Sequence, residues 1–152
     1  MVDSLDAMRT LRPGWLVALC GALLAVLAYL PWLMSDDGRA NAIGGVVGEL
    51  DVVPPGFGVG QLIVLSAAML IVAGAMVARE LSPRVASVAA LTISLLLAGL
   101  TFWYHRLYVQ PPVSAGYGFY LGAGVAALAV LLSVWALVTA WADPGTRRIR
   151  SG

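Results

Sequence analysis

Ionisable side chains that could bind a ligand are concentrated in two short stretches. The stretch at about 35–59 carries four carboxylates and one arginine, and the stretch near 104–108 carries the single histidine and another arginine. Carboxylates beside cations at one surface could bind a metal ion, a lipid headgroup or a peptide partner. The alternative is charge pairing between solvated loops. The candidate outer-face cluster consists of Asp36, Asp37, Glu49, Asp51, His105 and Arg106.

Catalytic and cofactor chemistry has few candidates. His105 is the only histidine, so a bis-histidine haem site is excluded, and no group of three suitable zinc ligands is visible. Gly38 directly follows Asp36 and Asp37, so the EF-hand calcium pattern is not met. Cys20 has no second cysteine with which to form a disulfide or a C-x-x-C pair. The sequence therefore predicts no enzyme, no cofactor and no metal site.

Four hydrophobic stretches must position these groups, and none of the four contains a charged residue. They run at about 14–34, 60–78, 85–104 and 118–142. Each is long enough to cross a hydrocarbon core of about 30 Å as a helix, and the composition is 61% hydrophobic and 11% charged. We therefore expect an all-α fold, a four-helix transmembrane bundle that forms a single membrane domain over 1–152. The outer loops are predicted at 35–59 and 105–117.

The distribution of arginine predicts the orientation in the membrane. All nine basic residues are arginine, and only Arg39 and Arg106 fall in the two predicted outer loops. The excess at the opposite ends favours a plasma-membrane protein with both termini in the cytoplasm. The net charge of +1 gives no reason to expect nucleic-acid binding. The seven arginines on the predicted inner side are Arg9, Arg12, Arg79, Arg84, Arg147, Arg148 and Arg150.

The two halves of the chain look like copies of one helical hairpin. Each outer loop carries a proline pair, at 54–55 and 111–112, followed by a Gly-aromatic-Gly step at 56–58 and 116–118. Both hairpins run in the same direction, so the predicted repeat is parallel, with its axis along the membrane normal. The alternative is that proline and glycine simply mark the points at which a chain re-enters a membrane.

Small residues recur at three- and four-residue spacing on every hydrophobic stretch. In membranes, helix association depends on close backbone approach, which small residues permit. Such stripes fit packing within the bundle, and one of them could instead dock a partner protein or a second copy. The stripe on the fourth stretch is the candidate for helix or partner packing: Gly118, Gly122, Ala126, Ala129 and Ser133.

The overall pattern resembles that of small four-span membrane proteins from actinobacteria. Its shared points are Pro31-Trp32, the longer first outer loop, the arginine-only basic ends and the glycine-rich entry to the fourth stretch, AGYGFYLGAG. These relatives include the membrane protein associated with tryptophan-operon regions and accessory subunits of the mycobacterial Mce lipid importers. The resemblance implies an accessory role at the cell envelope.

Two functions follow as hypotheses. The first is a non-catalytic membrane subunit that packs against a larger transport or cell-envelope complex, with the bilayer and that complex, or a second copy, as partners. The second is a small homo-oligomeric solute or lipid carrier with a path near Ser94, Thr101 and His105. The sequence offers small-residue stripes for helix packing but few candidate residues for catalysis, which favours the first hypothesis.

Overall fold

The computed structural model describes Asp3, residues 12–50 and residues 57–142. The two long ranges form four helices, which are α1 (Pro13–Leu27), α2 (Val59–Ala78), α3 (Pro83–Tyr108) and α4 (Tyr117–Ala142). Each helix packs against the next, and α4 packs back against α1, so the helices close into a ring. The predicted four-helix bundle is confirmed.

Three of the four helices are long and apolar enough to cross a membrane. They are α2 with 20 residues and α3 and α4 with 26 residues each. Helices of 26 residues, about 39 Å long, exceed the hydrocarbon thickness of about 30 Å and fit a bilayer when tilted. The chain therefore has the helices of an integral membrane protein.

The first helix is shorter than the hydrophobic stretch that contains it. The sequence analysis extended a span to residue 34, whereas α1 has 15 residues and ends at Leu27. Pro31 explains the difference, because proline has no N–H to donate and its ring disfavours a helical conformation in the residue before it. The end of the stretch forms a strand instead, so the predicted outer boundary of this span was wrong.

A small antiparallel sheet covers one end of the bundle. Its strands are β1 (Pro31–Met34), β2 (Gly38–Asn41), β3 (Val46–Gly48) and β4 (Ser114–Ala115), in the order β3-β2-β1-β4. The first three come from the connection between α1 and α2, and β4 comes from the connection between α3 and α4. Both of these connections therefore contribute to one sheet, which was not predicted from the sequence. We call this end of the bundle the sheet end and the opposite end, where residues 79–82 join α2 to α3, the turn end.

The helical hairpins are built to a similar plan but differ in size. The hairpin of α1 and α2 has helices of 15 and 20 residues, whereas α3 and α4 have 26 each. The connection within the first hairpin supplies three strands, and the connection within the second supplies one. The predicted proline pair at 54–55 and Gly56 lie outside the described residues, so the internal duplication stays a prediction.

Small residues bring α1 and α2 into backbone contact. A Cβ atom added at Gly74 would lie 2.5 Å from the backbone nitrogen of Ala18 and 2.8 Å from the carbonyl oxygen of Gly14. One added at Gly21 would lie 2.7 Å from the carbonyl oxygen of Ala67. Side chains at these glycines would force the two helices apart. On the first two helices, the small-residue stripes are used for packing inside the bundle.

Candidate functional site

An aromatic cluster fills the centre of the bundle at its sheet end. Trp32 in β1 is fully buried, and its indole N–H donates to the carbonyl oxygen of Leu27 at 2.8 Å. Its ring meets Tyr104 and Phe119 edge to face, at centroid distances of 5.2 and 5.7 Å. These rings close the middle of the bundle beneath the sheet.

The glycines at the start of α4 make room for this cluster. A Cβ atom added at Gly122 would lie 2.7 Å from Cζ2 of Trp32, and one added at Gly118 would lie 2.7 Å from the carbonyl oxygen of Pro31. The fourth-helix stripe therefore faces inward, and the burial supports packing within the bundle over docking of a partner. All five of its residues are buried, namely Gly118, Gly122, Ala126, Ala129 and Ser133.

The buried hydroxyl groups of α3 are used within their own helix. Ser87, Ser94 and Thr101 donate to the carbonyl oxygens three or four residues earlier, at 2.8 to 2.9 Å. The O–H donor of each of these hydroxyls is therefore already used in a hydrogen bond within α3. Among the described residues, the hydroxyls of Tyr104 and Ser133 are buried without a hydrogen-bond partner. These buried hydroxyl groups therefore give little support to a solute path through a single chain.

Three acidic residues of the predicted outer-face cluster lie at one corner of the sheet. Asp36 and Asp37 lie in the bend between β1 and β2, and Glu49 directly follows β3. The backbone N–H of Glu49 donates to the carbonyl oxygen of Asp37 at 3.1 Å, and all three side chains are exposed. Asp51 lies outside the described residues.

The cationic half of that cluster lies elsewhere. His105 is half-buried, and its ring centroid is 5.3 Å from that of Phe119 on α4, while Arg106 is exposed. Across residues 12–50 and 57–142, the one ion pair within 4.0 Å joins Arg12 to Glu80 at the turn end. The described residues also contain no group of three histidine, cysteine or carboxylate side chains arranged to hold a metal ion. The structure therefore assembles the acidic corner but does not pair it with His105 or Arg106.

A groove of 350 Å³ between α3 and α4 contains His105. Phe102 and Phe119 also border it, and its floor and walls are otherwise small side chains. Beside it lie two glycines, Gly99 and Gly124, where an added Cβ atom would meet no atom within 4 Å. The groove thus opens on the outer surface of the bundle. Its small residues are Ala98, Thr101, Ala123, Ala126 and Ala127.

The sequence analysis missed most of this groove. The fourth-helix stripe that it selected shares only Ala126 with the groove, because the selected positions follow the inward face of α4. Ala123 and Ala127 are four residues apart on the neighbouring face, with Gly124 between them. This spacing is visible in the sequence, but it indicates an outer surface only when the orientation of the helix is known.

Comparison of the chain with protein-family models, with curated proteins and with solved structures found no match. The resemblance to small actinobacterial membrane proteins therefore stays an expectation that rests on the pattern of Pro31-Trp32 and the loops.

Proposed function

We propose that this chain is a non-catalytic, multi-pass membrane subunit that packs against a larger transport or cell-envelope complex. The observation that supports it is the groove between α3 and α4, an indentation in a surface that faces lipid. Lipid chains solvate apolar side chains about as well as another helix does, so burial of leucine contributes little to helix association in a membrane. A groove of alanine and threonine allows a second helix to approach closely, and dispersion contacts then favour the complex.

The filled interior of the bundle supports a packing role over a carrier role. Trp32, Tyr104 and Phe119 occupy the centre at the sheet end, and the hydroxyls of Ser94 and Thr101 are bonded within α3. The groove reaches Thr101 and His105 from outside. A partner helix in this groove would contact both residues without opening the bundle.

The sheet supplies a second contact surface outside the membrane. Asp36, Asp37 and Glu49 are exposed at one corner of hydrogen-bonded strands, so their backbone positions are fixed before any partner arrives. Fixed positions lower the entropic cost of association. In the proposal, this acidic corner contacts the water-exposed part of the larger complex and adds charge-based specificity.

We place the chain in the plasma membrane with four spans and with both termini in the cytoplasm. Arg12, which precedes α1, and Ala140 near the end of α4 line the same cleft at the turn end, so the two described ends of the bundle lie together. Three described arginines, Arg12, Arg79 and Arg84, lie at this end, whereas Arg39 and Arg106 lie at the other. The span α1 is about 22 Å long, and the long Arg12 side chain extends its reach to the interface.

The orientation has a direct test. A green fluorescent protein fused to the C-terminus is expected to fluoresce, because it folds in the cytoplasm, and an alkaline phosphatase fused at the same point is expected to be inactive. The matched fusions after Gly45, in the turn between β2 and β3, should give the reverse pair of signals. Phosphatase activity from the C-terminal fusion would contradict the proposed orientation.

The groove is tested by the change Ala127→Trp. The indole ring would fill the space that a partner helix needs, so we expect the partner that co-purifies with the C-terminally tagged protein after crosslinking to fall by about tenfold, the effect of a loss of about 1.4 kcal/mol. Val72→Trp is the control, because Val72 is 60% exposed on α2 and α2 lies across the ring from α4.

Equal recovery of the partner with both variants would contradict the use of the groove. Recovery of the tagged chain alone from native membranes, with no second protein in fixed ratio, would contradict the subunit proposal itself. Recovery of a second copy in the wild type, lost in Ala127→Trp, would contradict the heteromeric subunit and support self-association through the same groove.

A further inference from the structure

A cleft of 570 Å³ opens at the turn end, where the ends of all four helices meet. Its walls include Val77 at the end of α2, Val85 at the start of α3 and Ala136 near the end of α4. Three ionisable side chains of the described residues line it, Arg12, Glu80 and Arg84. The lining of the cleft therefore combines apolar and charged side chains.

Arg12 and Glu80 largely satisfy each other. Nη1 of Arg12 lies 2.9 Å from Oε1 of Glu80 and donates to the carbonyl oxygen of Ala78 at 3.0 Å. The second contact holds the guanidinium in place independently of the carboxylate. Glu80 reaches it from the turn between α2 and α3, where its φ is 58°.

Arg84 has no such partner within the described part of the chain. Its guanidinium lies over the ring of Trp141, with Cζ 5.3 Å from the ring centroid. This contact orients the group, and no carboxylate of residues 12–50 or 57–142 accepts from its five N–H donors. Because Arg12 and Arg84 oppose Glu80, the described side chains that line the cleft carry a net charge of +1.

The start of α3 adds further donors at the same place. The helix begins at Pro83, and the Ser82 side chain makes no capping hydrogen bond to it. The first N–H groups of a helix have no acceptor within the helix and carry a partial positive charge. Arg84 and Val85 are in this first turn, and both line the cleft.

We propose that this cleft binds the phosphate headgroup of an anionic phospholipid. The Arg84 guanidinium would contact the phosphate, the first turn of α3 and Arg12 would add positive potential, and Glu80 would limit the charge of the empty site. The ring of Trp141, which lies beneath Arg84, and the side chain of Leu81, which follows Glu80 in the chain, are both exposed. Exposed apolar groups of this kind fit the interface where the glycerol backbone lies. Basic pockets between membrane helices are a known mode of recognition for anionic headgroups. A lipid, rather than a free phosphate ion, is favoured because the cleft wall beyond the charges is apolar.

The test titrates the detergent-solubilised full chain with dioctanoyl phosphatidylglycerol and with dioctanoyl phosphatidylcholine, with binding followed by native mass spectrometry. We expect the anionic lipid to bind about fivefold more tightly, the effect of about one basic residue near an anionic group. Arg84→Gln should remove that preference. Glu80→Gln should raise the affinity for phosphatidylglycerol about threefold, since it removes the one carboxylate among the described residues that line the cleft. Arg106→Gln, a change at the sheet end, is the matched control and should leave both affinities unchanged.

The opposite signs of the two cleft variants separate a binding role from a structural one. If Glu80→Gln weakens binding, Arg12 is held by the ion pair for structure alone and the proposal fails. Equal losses in Arg84→Gln and Arg106→Gln would show unspecific attraction of anionic lipid to any arginine. Binding of inorganic phosphate is measured with phosphatidylcholine as the lipid present. If phosphate binds the chain and displaces phosphatidylglycerol, the assignment of the cleft to a lipid is overturned.

Discussion

Trp32→Ala is expected to lower the free energy of unfolding by about 3–5 kcal/mol, the range for removal of a large aromatic ring from a core. The ring is fully buried, contacts Tyr104 and Phe119 edge to face, and fills the space left by Gly122. Its loss removes the link between the sheet and three helices at once. We expect the sheet end to loosen first.

The measurement is equilibrium unfolding of the purified protein in mixed micelles, with Trp103→Ala as the control. Trp103 is 60% exposed on α3, so its removal should change the free energy of unfolding by less than about 1 kcal/mol. Similar losses for the two tryptophans would contradict the central role given to Trp32. A greater susceptibility of residues 31–48 to protease in Trp32→Ala would locate the damage at the sheet.

Gly74→Leu is expected to have an effect of similar size, because the new side chain would meet the backbone of α1. Even a Cβ atom at this position would lie 2.5 Å from the backbone nitrogen of Ala18, and a backbone cannot rotate out of the way as a side chain can. The helices α1 and α2 must separate to accept it. Gly74→Ala alone should cost about 1–3 kcal/mol of stability, as overpacking does.

Gly124→Ala is the matched control for Gly74→Ala. An added Cβ atom at Gly124 meets nothing within 4 Å, and replacement of glycine by alanine within a helix is worth about 0.5–1 kcal/mol. The two chemically identical changes should therefore shift the free energy of unfolding in opposite directions. Loss of stability in both variants would mean that the close approach of α1 and α2 is not the reason that Gly74→Ala is destabilising.

The bundle could be predicted from the sequence because the signals that specify it are long and redundant. Each hydrophobic stretch is apolar over about 20 residues, which predicts a membrane-spanning helix. Glycine or alanine at every third or fourth position indicates close helix packing. Gly21 and Gly74, small residues of the first and second hydrophobic stretches, are at backbone contacts in the structure.

The sheet could not be predicted in the same way, because its strands have only two to four residues each. Period-two alternation has no room to show itself in so few residues. One local signal was present, since Pro31 after Leu30 favours an extended segment and the end of α1 before it. The pairing of β1 with β4, more than 75 residues later, depends on tertiary structure.

The candidate site was predicted only in part because loop geometry determines which charges meet. Asp37 and Glu49 come together through backbone pairing across β2 and β3, whereas His105 turns to the ring of Phe119. The turn-end cleft depends on four helix ends and on the stacking of Arg84 over Trp141. Neither arrangement follows from spacing along the chain.

The strand order β3-β2-β1-β4 has a consequence for biosynthesis. The first hairpin can complete three strands as soon as α2 has left the ribosome, but one edge of β1 then has no neighbour. An unpaired edge is a template for strand addition by another chain, and here this edge of β1 persists until Ser114 and Ala115 have been synthesised. Synthesis of the second hairpin is therefore the step that covers this edge of the nascent sheet.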